Sequence, residues 1–183
     1  ACHFSFIVIS PLIFIDQLQM APYDFSLILL IYGAAYIVGG LVATVLSRRI
    51  KPGQQMLVGL GLILLSGLAM LYLSSNFALT PATVLIPMLI CTAGTTIARP
   101  AATSKAMGLF PELAGTSAAA GSTLTFICGG LISALISLSP ANLQATLGYS
   151  FVLLSGVALA LNSRISRRAR IHESHAMTQP GGD

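Results

Sequence analysis

The sequence predicts an all-α integral membrane protein whose six transmembrane helices form a three-plus-three inverted repeat. Three observations predict it. Hydrophobic residues make up 55% of the 183 residues and charged residues only 8%, too few polar side chains to cover a water-soluble globule. Long uncharged apolar runs recur along the chain. Basic residues collect in alternate gaps between those runs, so the formal net charge of +4 reads as a topology signal and not as a nucleic-acid-binding face.

The first apolar run, Phe4 to Ile15, has twelve residues against the roughly 20 that a bilayer core asks of a helix. It reads as a re-entrant piece or, as adopted here, a span truncated at its N-terminus. The second, Phe25 to Leu46, carries no charge and follows Asp24, a candidate N-cap. The third, Met56 to Leu73, follows the basic turn Arg48-Arg49-Ile50-Lys51-Pro52-Gly53. The fourth runs from near Ala82 through Pro87 and Pro100 to near Met107. The fifth is Ser117 to Leu138 and the sixth Ala145 to Leu161. Residues 1–161 thus form the transmembrane domain, and residues 162–183 are expected as a basic, disordered cytoplasmic tail. The chain opens on Ala-Cys-His without a basic n-region, so a cleaved signal peptide is not expected and the chain reads as a piece of a longer protein.

Eight of the nine Lys and Arg residues fall at 48–51, at Lys105 and at 164–170. By the positive-inside rule those three places are cytoplasmic, and the gaps at 16–24, 74–81 and 139–144 face outward. The repeat shows as matches at a common offset of 89 or 90: Ser10-Pro11 with Arg99-Pro100, Gly39-Gly40 with Gly129-Gly130, and Leu64-Leu65-Ser66-Gly67 with Leu153-Leu154-Ser155-Gly156. That offset maps the first three spans onto the last three. Because three is odd, the second trio is inverted.

Arg99 is the ninth basic residue and the exception, since it lies inside an apolar run. A charge at a helix centre costs about 2.5–3.5 kcal/mol on insertion scales, which marks a site. It lies six residues, roughly 9 Å of helix, before Lys105. Snorkelling to the inner surface is one reading; a place in a water-filled cleft beside Pro100 is the other. Tyr32 and Tyr36, one helical turn apart, are candidate aromatic contacts for a lipophilic ligand. Asp16 is a remote candidate because it sits at an outer helix end. Pro11 and Pro100 are candidate kinks, with Thr95 or Thr96 expected to satisfy the carbonyl freed by Pro100. Gly39, Gly40, Gly121, Gly129 and Gly130 are candidate helix-packing positions, the last two continuing into a small-residue stripe with Ser133, Ala134 and Ser137. Arg164, Arg167, Arg168 and Arg170 read as a topology anchor.

The six spans, the basic second-to-third turn and the run AMGLFPELAGTSAAAG at 106–121 resemble the C-terminal half of a major facilitator superfamily transporter, closest to its Bcr/CflA drug:proton antiporter branch. Ser10-Pro11 matches that branch's Ser-Pro in the corresponding helix, and Pro100 its proline late in the fourth. Ala114, Gly115, Thr116, Ser117, Ala118 and Gly121 match its small-residue entry to the fifth. The chain departs from the branch at Leu124, where glutamine is common, and in the turn at 47–53, which lacks an acidic residue. The resemblance implies half of a major facilitator fold in a bacterial inner membrane with a cytoplasmic C-terminus. It also implies partners: the bilayer, a missing N-terminal six-helix half, a small lipophilic drug-like substrate and protons.

Enzyme chemistry finds no footing. The histidines, His3, His172 and His175, lie at the start and in the tail, and the five acids are scattered at span ends or outside, so neither a serine–histidine pair nor paired carboxylates form within the membrane. Cys2, Cys91 and Cys128 have no metal spacing, and no metal or cofactor is expected. The absence of an intramembrane carboxylate also means that the chain alone is not expected to be a competent antiporter. The alternative is a non-transporting six-helix scaffold that binds a partner. The charge alternation predicts that single cysteines at positions 75 and 174, in a cysteine-free background, are labelled from opposite sides by an impermeant thiol reagent; labelling of both from outside would refute the six-span topology.

Overall fold

In the computed structural model, residues 2–109, 111–137 and 142–178 are described, and among them every element is helical. Helix α1 (Cys2–Pro11) continues as a π-helical turn, Leu12–Gln17, followed by α2 (Pro22–Ser47), α3 (Pro52–Asn76) and α4 (Pro81–Leu109). After a 3₁₀ turn at Pro111–Leu113 come α5 (Ala114–Ser137) and α6 (Leu143–Thr178). Among the described residues, five helices are long and apolar enough to cross a membrane, and the apolar stretch Cys2–Gln17 is shorter. Their outward faces are apolar too. Leu30, Ile37, Leu135 and Leu153 are each about two-thirds exposed, a surface suited to lipid and not to water.

Local chemistry sets the helix starts. Proline opens α2, α3 and α4, where its missing N–H is one the helix does not use and its φ is already helical. The cap of α2 is therefore Ala21, and Asp24, expected as the N-cap, lies within the first turn. Ahead of α4, Thr80 and Thr83 exchange bonds, each backbone N–H donating to the other's hydroxyl at 3.0 and 3.3 Å, a capping-box arrangement. The end of α6 differs from expectation. The helix does not stop at Leu161 but continues to Thr178, since the segment beyond 161 is free of Pro and Gly until 180 and nothing local interrupts it. Phe110, the 138–141 connection and residues 179–183 of the expected tail lie outside the described residues.

Helix α4 is the hub. Half of its most apolar stretch is buried, against 17% for α2 and for α5. The main packings are α4 with α3 and with α2, α3 with α6, and α1 with α5. Glycines make the closest of them. A Cβ built on Gly59 would lie 2.6 Å from the Gly94 carbonyl oxygen and 2.6 Å from Ala98 Cβ, and one on Gly94 would lie 2.7 Å from the Gly59 oxygen. Gly67 of α3 and Gly148 of α6 meet in the same way, a built Cβ on Gly67 coming to 2.9 Å from the Val152 nitrogen. Around these crossings Phe6, Phe14, Met70, Met88 and Phe151 are wholly buried.

Of the glycines expected to pack, Gly39 is covered by Thr96 and Ala93 of α4, and Gly129 by Phe4 of α1. Gly40, Gly121 and Gly130 meet nothing within 4 Å: Gly40 borders a cavity, and Gly121 and Gly130 lie on exposed faces. Close helix approach is thus concentrated at 59/94 and 67/148. Gly59→Val and Gly94→Val are expected to lower the fraction of folded, monodisperse protein in detergent, with an overpacking cost of about 1–3 kcal/mol, while Gly61→Ala, whose site is open, leaves it near the parent. Equal tolerance at all three positions would contradict the glycine crossing.

Candidate functional site

Three prolines interrupt the helices lining the central cleft, and each frees the carbonyl four residues earlier. At Pro11 the freed carbonyl is that of Ile7, and the neighbouring Ser10 hydroxyl donates to it at 3.0 Å. The chain then widens into the π turn, where the Leu18 N–H reaches Ile13 O at 3.0 Å, and two residues past its end Gln19 has φ 52°. At Pro87 the freed carbonyl is that of Thr83, and Gln144 of α6 donates to it at 3.1 Å. The Pro87 carbonyl itself accepts from buried Ser66 at 2.6 Å. At Pro100 the expected compensation does not occur. The hydroxyls of Thr95 and Thr96 donate to Thr92 and Ala93 carbonyls, since a hydroxyl at these positions reaches back three or four residues and cannot reach forward to the Thr96 carbonyl.

One residue before that proline, Arg99 extends across to α2. Its Nη1 lies 3.5 Å from the Tyr36 hydroxyl. Both residues are deep in their helices: Arg99 is ten residues before the end of α4 and Tyr36 eleven before the end of α2, about 15 Å and 16 Å along the axis. The guanidinium therefore ends in the cleft, well inside both helices, and is not drawn up to a helix end.

Two cavities meet at this pair, of about 660 and 520 Å³, and both are lined by Tyr36 and Arg99. These volumes fall in the roughly 300–1,000 Å³ range of small-molecule sites. The larger is walled by hydroxyls, including Thr44, Ser47, Thr103 and Ser104, and by Pro100. Gly40 also lines it, so the absence of a side chain there keeps space open. The smaller is mostly apolar, with Phe4 and Phe126 edge to face at 5.7 Å on one wall.

His3 completes the smaller cavity. Its ring lies 5.2 Å from that of Tyr32, stacked, and 5.2 Å from that of Tyr36, tilted, and its Nδ1 is hydrogen-bonded to the Tyr32 hydroxyl. Sequence reasoning set His3 aside because it stands at the start of the chain. The usable signal was the one-turn spacing of two tyrosines, which accepts a third ring. Tyr32 itself, expected to face a ligand, is 5% exposed and supports His3 from behind. Asp16 is exposed on the π turn, its backbone carbonyl taken by Gln19 at 2.7 Å, and it lines neither cavity. The structure thus joins Arg99, Tyr36 and Pro100, places Tyr32 one layer back and leaves Asp16 and Pro11 outside.

The family model of the Major Facilitator Superfamily matches residues 1–134. No curated protein and no solved structure matches the chain. The ring stack predicts that Tyr32→Phe shifts the Nδ1 resonance of His3 in a ¹⁵N-histidine-labelled sample, whereas Tyr36→Phe leaves that hydrogen bond in place; identical spectra for parent and Tyr32→Phe would show that the bond does not form.

Proposed function

The chain belongs to the major facilitator superfamily, and on that premise we propose that it is the C-terminal six-helix half of a Bcr/CflA-type drug:proton antiporter, in a bacterial inner membrane. It is a multi-pass, all-helical membrane protein of a transporter family. In this proposal an N-terminal half supplies the opposite wall of the cleft, and a small lipophilic substrate and protons alternate between the two. The basic turn at 48–51, Lys105 and the stretch beyond Arg164 lie on the cytoplasmic side.

Support for a three-plus-three repeat comes from the packing. The contact of Gly39 with Ala93 joins α2 to α4, and the contact of Gly129 with Phe4 joins α5 to α1. The offset of 89 or 90 carries the first pair onto the second, since 39 goes to 129 and 4 goes to 93. The same operation exchanges α1 with α4 and α2 with α5 and leaves the α3–α6 contact as its own partner. An inverted repeat has this symmetry, with the substrate site at its interface near the membrane midplane.

The observation that carries the function is Arg99 against Tyr36 in an open cleft, well inside both helices. In the full-length transporter, Arg99→Gln removes the charge and is expected to lower transport at least tenfold while expression persists. Arg99→Lys keeps the charge without the planar fork and is expected to be intermediate. Parent-like transport by both variants would refute the site. Reconstituted alone, the 183-residue chain is expected to give no drug-driven proton flux; such flux would refute its standing as a half-transporter.

A further inference from the structure

We infer that the cleft at Arg99 takes a bulky aromatic anion, a ligand of one negative charge set within apolar rings. The assignment deepens the transporter reading and rests on it only for what the ligand is bound for. The charged side chain that lines the cleft is cationic: Arg99 borders both cavities. The carboxylates whose side chains are described, Asp16, Asp24 and Glu112, line neither. Arg99 forms no ion pair among the described residues, and a single long contact to Tyr36 engages one of its five N–H donors. A guanidinium within an apolar helix is stabilised by a counter-charge, and its planar fork suits a carboxylate or sulfonate.

The remainder of the lining specifies the body of the ligand. Beside Arg99 the smaller cavity is walled by Phe4, Phe126, Leu60 and Ile63, with the Phe4 and Phe126 rings edge to face. Such a wall accepts an aromatic ring by face or edge. Tyr36 stands between the two parts, its ring on the apolar side and its hydroxyl at the guanidinium. A lipophilic cation of the same shape meets the same rings and the wrong charge.

Two probes differ in little but that sign, tetraphenylborate and tetraphenylphosphonium. The test measures saturable binding of each to the 183-residue chain in nanodiscs, after subtracting uptake by empty nanodiscs. Tetraphenylborate is expected to bind at least tenfold more tightly than tetraphenylphosphonium. Arg99→Gln is expected to abolish that preference and Arg99→Lys to retain part of it, each variant first shown to match the parent in helix content and elution. Tyr72→Phe, which lies outside both cavities, is expected to keep the preference. Equal or tighter binding of the phosphonium, saturable binding of neither probe, or a preference that survives Arg99→Gln would each overturn the anion site. The two proposals fail separately. An anion preference in a full-length protein that transports nothing refutes the transport reading alone, and transport without that preference refutes the anion site alone.

Discussion

The close approach of α3 to α4 at Gly59 and Gly94 is the constraint on which the rest of the structure depends. With no side chain at either position the two backbones come within van der Waals contact, each carbonyl oxygen facing the other's Cα. In a bilayer, where lipid is as apolar as leucine, such fit drives helix association more than burial does. The crossing fixes α4 at the centre, with α3 on one side and α2 on the other. From that position one face of α4 is buried through Val84, Met88, Cys91 and Ile97, and the residue two further on, Arg99, is left to the cleft.

Polar groups inside the bundle are arranged around the helix breaks. Ser10 serves the carbonyl that Pro11 frees, and Gln144 serves the one that Pro87 frees. Ser66 and Gln55 bond to backbone carbonyls of adjacent helices. Among the described residues no buried side-chain N or O atom is left without a partner. Helices that satisfy their own defects can carry prolines at membrane depth. Pro100 differs, because its nearby hydroxyls bond elsewhere, and it lies on the wall of the larger cavity beside Arg99. The break at Pro100, which neither Thr95 nor Thr96 compensates, therefore lies beside the site.

The helices were legible because their apolar runs are long and their ends carry proline or basic residues. Arg99 was legible because a charge within such a run stands out. What the sequence withheld was which faces meet. Gly40 and Gly129 look alike as letters, yet one borders a cavity and the other lies under Phe4. Tyr32 and Tyr36 share a helix face, but α1 docks over the first and leaves the second open. His3 was overlooked because its role depends wholly on that docking. The length of α6 was missed because hydropathy marks where a span leaves the membrane and is silent on where the helix stops.

The central claim is that the Arg99 guanidinium stays in the cleft against Tyr36 and does not reach the membrane surface. Solid-state NMR on the chain in lipid bilayers tests it directly, in a variant whose other arginines are replaced by lysine so that a single guanidinium carbon is labelled. The account predicts dipolar contact between Arg99 Cζ and the Tyr36 ring, consistent with an Nη1 to hydroxyl separation of 3.5 Å, and no contact with lipid phosphorus. Contact with headgroup phosphorus and none with Tyr36 would mean that Arg99 reaches the membrane surface, and the site described here would not exist.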